Sequence, residues 1–169
     1  MLKVSFKDKE GYPAKRVQVF NNKTTKVTLV GKIKFPDWWM YIPLDSDIMR
    51  WVNNHHSVEF HYGLSVTDST IIIDGISTCS DEDEFNPVFG ERIAEARAKK
   101  RLYSFMVTLI NKTITYYRKI LYGNCQINVF ETVTYDSKPV IPNLFTDLMK
   151  YEELYSSECD HLNNLLAMS

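Results

Sequence analysis

The chain has no run of about 18 apolar residues, so nothing in its 169 residues reads as a membrane span. Cysteine is scarce: Cys79, Cys125 and Cys159 are odd in number and far apart, and no CxxC or Cys/His spacing joins them. That argues against a zinc site and a disulfide framework, and it predicts reduced thiols. The six glycines are scattered, so no Gly-rich loop offers to cradle phosphates in the Walker or dinucleotide manner. The opening MLKVSFKDKEGYP is too short and too charged for a signal peptide, and the expected location is the cytoplasm. Internal repeats and low-complexity linkers are also missing.

What is present fits one globular unit with an appendage. Hydrophobic residues make up 44% and charged residues 24%, an ordinary balance for a packed domain. The net charge of −1 hides a block pattern: +7 over residues 1–36, −9 over 37–90, +6 over 91–123 and −5 over 124–169. Such blocks either neutralise one another in the fold or present opposite faces to partners, and neutralisation is the simpler reading. A dedicated nucleic-acid binder is more often basic overall.

Patterning predicts a mixed fold. KVSF reads as a short first strand, and RVQVF-NNK-TTKVTLVGKIKF as a hairpin around an Asn-Asn-Lys turn. WWMYI resumes an extended segment, and DSDIMRWVNN predicts a short helix capped by Asp45 or Ser46. SVEFHYGLSV-TDS-TIIIDGISTC predicts a second hairpin that turns at Thr67, Asp68 and Ser69, with Phe60 and Tyr62 on a buried side. From Pro87 to about Tyr122 the period is helical, with a kink near Asn111 left open. QINVFETVTY predicts one more strand, and the chain closes in one or two helices. The expected class is α+β: an antiparallel sheet of successive hairpins packed on a long helix, with a C-terminal strand and helical segment. Residues 1–123 form the expected core, and 124–169 an appendage packed on it.

The stretch CSDEDEFNPVFGERIAEARAKKR places four acids ahead of a basic cluster. Carboxylates suit the entry to a helix, whose first turn carries unpaired N–H groups and a partial positive charge. Asn86 is the expected N-cap, with Pro87 at the first helical position. Phe85, Phe89 and Ile93 are expected to anchor one face to the sheet, and Gly90 to mark close approach to another backbone. A Mg²⁺ or Ca²⁺ site at Asp81 and Asp83 lacks the spacing of a cation loop. The skeleton Gly75, Cys79, Asp83, Phe85, Gly90, Ile93-Ala94 and Arg97-Ala98 resembles a hairpin–helix module of small phage and prophage proteins. It is also similar to small bacterial proteins with a double-stranded-RNA-binding-like fold. The resemblance covers about residues 57–105. It implies action by binding, as an inhibitor of host nucleases or a sponge for signalling nucleotides, in the cytoplasm of a bacterial host cell.

Two sets of candidate residues follow. Trp38 and Trp39 are adjacent on a predicted strand and must point to opposite faces, so either the sheet is covered on both faces or one of them lies at a surface, where it and Trp51 are candidates for a partner. With the acids Asp81, Glu82 and Glu84 they are the candidate contacts to a bacterial protein, for example a CRISPR effector nuclease, blocked by this chain. The alternative is RNA or nucleotide binding through Arg97, Lys99, Lys100 and Arg101. The competing explanation of that cluster is a solvated, salt-bridged face, because Glu95 lies four residues before Lys99. His55, His56 and His61 lack a third ligand and read as structural. No nucleophile, base and orienter assemble into a catalytic set, so the expectation is a non-catalytic protein without cofactor, metal or membrane partner, with self-association open. After Leu102 the long helix is apolar most of the way round, which requires cover from the C-terminal segment or from another subunit.

Overall fold

The computed structural model describes residues 3–6, 14–21, 23–34, 46–54, 59–62, 68–80, 84–122, 134–135 and 138–168. It is a mixed α+β fold built on an antiparallel sheet. Strand β1 (Lys3–Ser5) and strand β2 (Lys15–Phe20) both pair with β3 (Thr24–Lys34), and β3 pairs with β5 (Asp68–Thr78), which pairs with β4 (Glu59–Tyr62). β1 and β2 lie end to end along one side of β3, joined where the Ala14 N–H donates to the Phe6 carbonyl at 2.7 Å. β2 and β3 form the expected hairpin. The Lys23 N–H donates to the Phe20 carbonyl at 3.1 Å, and Asn21 takes a φ of 51°, a conformation asparagine tolerates well.

Alternation along β3 decides the buried face. Thr25, Val27, Leu29, Gly31 and Ile33 are buried, and the register sets them opposite Ser77, Gly75, Ile73, Ile71 and Ser69 of β5. The same ladder continues to β4, where Phe60 pairs with Ile71 and Tyr62 with Ser69. The second hairpin turns earlier than expected. Asp68 and Ser69 are strand residues paired with Lys34 and Ile33, and Tyr62 pairs with Ser69, so the connection falls at 63–67. Eleven-residue β3 offers partners to the end of β5, and that long ladder outweighs the local turn preference of Thr-Asp-Ser.

Three helices complete the described fold. Helix α1 (Asp47–Asn53) is capped by Ser46, whose hydroxyl accepts from the Met49 N–H. Helix α2 (Pro87–Tyr122) is continuous over 36 residues, without a break at Asn111. Asn86 caps it as expected, its Oδ1 accepting from the Phe89 N–H at 3.1 Å. Helix α3 (Val140–Leu166) runs antiparallel along α2 as one piece, with Pro142 in its first turn, where a missing N–H is tolerated. Thr134–Tyr135 (β6) and Lys138–Pro139 (β7) form a short ladder before it, and the rest of the strand expected over 126–135 lies outside the described residues.

The core explains the apolar circumference of α2. Leu102, Phe105, Met106, Leu109, Ile110 and Ile114 are buried together with Val27, Leu29, Ile33, Ile71 and Ile73 from the sheet. Ile48, Met49 and Val52 of α1 and Leu144, Leu148 and Tyr151 of α3 belong to the same cluster. The C-terminal helix therefore supplies the cover that α2 requires.

Two local expectations change. Phe89 and Ile93 do not join the apolar cluster of the sheet: they pack with Ala96 of α2 and with Leu162 and Leu165 of α3. The sheet instead meets α2 at its small residues. A methyl group at Gly75 would stand 1.9 Å from the Ala94 carbonyl oxygen and 2.6 Å from the Ala98 nitrogen, so the close backbone approach belongs to Gly75. Gly90 faces a side chain, Thr25 Oγ1, rather than a backbone.

Candidate groove between the two long helices

α2 reaches the sheet through two arginines as well as through Gly75. The Arg97 guanidinium donates to the Ile76 carbonyl at 2.6 Å, and Arg101 donates to the Asp74 carbonyl at 2.8 Å. These carbonyls belong to the stretch of β5 beyond Ile72, past the Glu59–Ile72 pair at which β4 begins, where no described strand pairs with β5 on that side. The match is geometric. Four helical residues advance about 6 Å and two strand residues about 6.6 Å, so an i,i+4 pair of arginines meets an i,i+2 pair of carbonyls. Each guanidinium has five N–H donors and offers the rest to its surroundings.

That anchoring sets Arg97 and Arg101 along one wall of a groove of about 500 Å³ between α2 and α3. Lys100 joins them, its Nζ 6.0 Å from the centre of the Tyr155 ring of α3. The hydroxyls of Ser104 and Thr108 lie further along the same wall, and Phe105 and Leu162 give it an apolar part. Among the described residues that line the groove there is no carboxylate. Three cations, an aromatic ring and hydroxyls in one concavity favour an anionic, ring-bearing ligand.

Lys99 points elsewhere. It pairs with Glu95 at 2.8 Å, and Glu95 also accepts from Lys15 of β2 at 2.9 Å, while Lys15 reaches Glu91 at 2.7 Å. Burial opposes the charge on Glu95, but the hydrogen bonds from Lys99 and Lys15 outweigh it and hold its carboxyl below the ordinary value. The same two glutamates raise Lys15, chiefly through the hydrogen bond to Glu91. The salt-bridged reading of the basic cluster thus holds for Lys99, whereas Arg97, Lys100 and Arg101 gather at the groove.

Glu158 of α3 sits near this network with Oε1 buried and unpaired, and burial raises its carboxyl against the opposing pull of Lys99 and His161. A raised folded-state value means the neutral form favours folding, so stability declines as pH climbs from about 4.5 through that value. Glu158→Gln is therefore expected to stabilise the protein at pH 7 by roughly 0.5 kcal/mol, a small figure because the site is partly solvated. The gain should vanish below about pH 4.5, where the carboxyl is protonated in both states. Urea unfolding of both proteins at the two pH values checks this, and equal gains at both would refute it.

Most of the other candidate residues fall outside the described ones. Trp38, Trp39, Asp81 and Glu82 lie outside the described residues, as do His55 and His56. Glu84 is exposed just before α2. Trp51 is half-buried and stacked on Phe105, with ring centres 5.2 Å apart and Lys112 Nζ 5.4 Å from its ring. Its ring packs α1 on α2 and keeps part of its surface exposed. Among the described residues no group of three or more His, Cys, Asp or Glu is placed to hold a metal ion, and no helix is long and apolar enough to cross a membrane. Sequence reasoning missed Tyr155, Ser104 and Thr108. Nothing in the local pattern of YEELYSSECD marks Tyr155, because only the packing of α3 on α2 carries it to Lys100.

Compared with known proteins, the chain matches no family model, no curated protein and no solved structure.

Proposed function

We propose that this chain is a non-catalytic binding protein whose groove takes a nucleotide or a short single-stranded RNA. The convergence of Arg97, Lys100 and Arg101 on a concavity lined by Tyr155, with no described carboxylate among its lining, carries this reading. The cations meet phosphate, the Tyr155 ring offers a face for a base, and Ser104 and Thr108 offer hydroxyls to a sugar or phosphate. A volume of about 500 Å³ suits a ligand of nucleotide size. Neighbouring lysines make the test sharp. With ATP and a short single-stranded RNA as probes in calorimetric titrations, Lys100→Glu should weaken binding at least about tenfold, or 1.4 kcal/mol. Lys99→Glu should change it by no more than about twofold, because Lys99 is turned to Glu95. Affinity should also fall as salt rises. Absence of binding by either probe, or equal loss in the two variants, would sink the proposal.

A second reading is a phage or prophage protein that occupies the surface of a bacterial defence effector, in the manner of an anti-CRISPR protein. It is supported by large apolar side chains left exposed near the start of α2 and the end of α3: Val88 at 68%, Leu166 at 42% and Met168 at 76%. Affinity capture from nuclease-treated bacterial lysate separates the two readings. A stoichiometric protein retained without nucleotide would favour this one.

A further inference from the structure

The two sides of the sheet are finished differently. On the β5 side, the carbonyls beyond the end of β4 are taken by Arg97 and Arg101. On the other side, no described residue pairs with the outer edge of β2. Five consecutive residues there, Arg16 to Phe20, are exposed, with Val17 at 40%, Val19 at 47% and Phe20 at 46%. Natural edges are commonly guarded by an outward lysine, but Lys15 is bent back to Glu91 and Glu95 of α2.

The direction of the free backbone groups follows from the ladder. The Val30 N–H donates to Ala14, and the Lys23 N–H to Phe20, so the even-numbered residues of β2 direct their backbone to β3. The capped Asp74 and Ile76 carbonyls on the far side of β5 fit the same alternation. Antiparallel geometry then turns the N–H and C=O groups of Lys15, Val17 and Val19 to the open edge.

We propose that β2 is a self-association edge, with the β2 strands of two copies pairing antiparallel about a two-fold axis at Gln18. The chemistry of the strand is self-complementary about that residue. Val17 of one copy meets Val19 of the other on the helix side, and their backbones exchange hydrogen bonds. Arg16 meets Phe20 on the outer face, a cation over an aromatic ring, and Gln18 meets Gln18. No like charges are placed opposite each other. A two-fold axis at Val17 would instead set Lys15 against Val19 and leave Phe20 against Ala14. The occupant that fits is a second copy of this chain, and the interface lies on the opposite edge of the sheet from the groove.

Light scattering on the full chain across a concentration series should show a reversible dimer, with Val19→Lys raising its dissociation constant at least about tenfold. The registry has its own test. Gln18 and its symmetry mate form a pair whose backbones turn away from each other, with Cα atoms about 4.5 Å apart, within disulfide range. Mild oxidation of Gln18→Cys should give a covalent dimer linked through the substituted position, identified by peptide mass spectrometry. Val17→Cys should not link to itself, because its mate lies two positions away. A wild-type chain monomeric at every concentration would overturn the proposal, as would linking of Val17→Cys as readily as Gln18→Cys. Because oxidation is read on a folded, dimeric chain, it decides the matter even if Val19→Lys unfolds.

Discussion

Gly75→Ala is expected to destabilise the protein by about 3 kcal/mol or more, although it adds one methyl group. The added carbon would stand 1.9 Å from the Ala94 carbonyl oxygen and 2.6 Å from the Ala98 nitrogen. Both are backbone atoms of α2, so no rotamer change relieves the overlap and the helix must lift from the sheet. The helix is held there by Arg97 on Ile76 and Arg101 on Asp74, on either side of Gly75, and by the core beneath it. Lifting it strains both clamps and opens voids along β5. Ala94→Gly should not rescue the variant, because the Ala94 side chain is not what collides. Chemical denaturation of the single and double variants measures this. A loss below about 0.5 kcal/mol would mean that helix and strand are not in this contact.

Leu109→Ala is expected to remove about 3–4 kcal/mol. Leu109 is fully buried in the cluster that joins Leu29 and Ile33 of the sheet, Ile48 of α1 and Leu144 and Leu148 of α3. Truncation loses the transfer energy of the side chain and leaves a cavity bounded by layers that cannot all collapse inward. With an m-value of about 2 kcal/mol per molar urea, the midpoint should fall by roughly 1.5–2 M. Met149→Ala on α3 is the control. Met149 is 70% exposed, and its truncation should change stability by no more than about 0.5 kcal/mol. If the two variants cost the same, α2 is not the buried centre of the fold.

Local pattern carried the hairpin at Asn21, the Ser46 and Asn86 caps and the start of α2 at Pro87, because a cap or tight turn is made by residues within a few positions of one another. The apolar circumference of α2 announced that something must cover it, without saying what. Its helical length was legible, and its continuity past Asn111 follows from burial of Leu109, Ile110, Thr113 and Ile114 in register with their neighbours. Where the reading of particular residues failed, a distant partner decided. Phe89 and Ile93 turned to Leu162 and Leu165 of α3, and Asp68 and Ser69 were drawn into the ladder of β3.

The basic cluster shows the same division. Spacing alone paired Glu95 with Lys99, and that pair forms, since residues four apart on a helix are neighbours whatever the rest of the chain does. It could not separate Lys99 from Lys100, because adjacent helical residues differ by about 100° in direction and only the packing around the helix gives those directions meaning. The chain by itself determined an α+β fold, its caps, its first hairpin and a positive stretch at the start of the long helix. Tertiary packing alone decided that Arg97 and Arg101 finish the edge of β5, that Tyr155 stands beside Lys100 and that Lys99 is spent on Glu95. Side chains from α2, α3 and β5 meet there across long separations in sequence, and no local periodicity encodes which faces three elements will share.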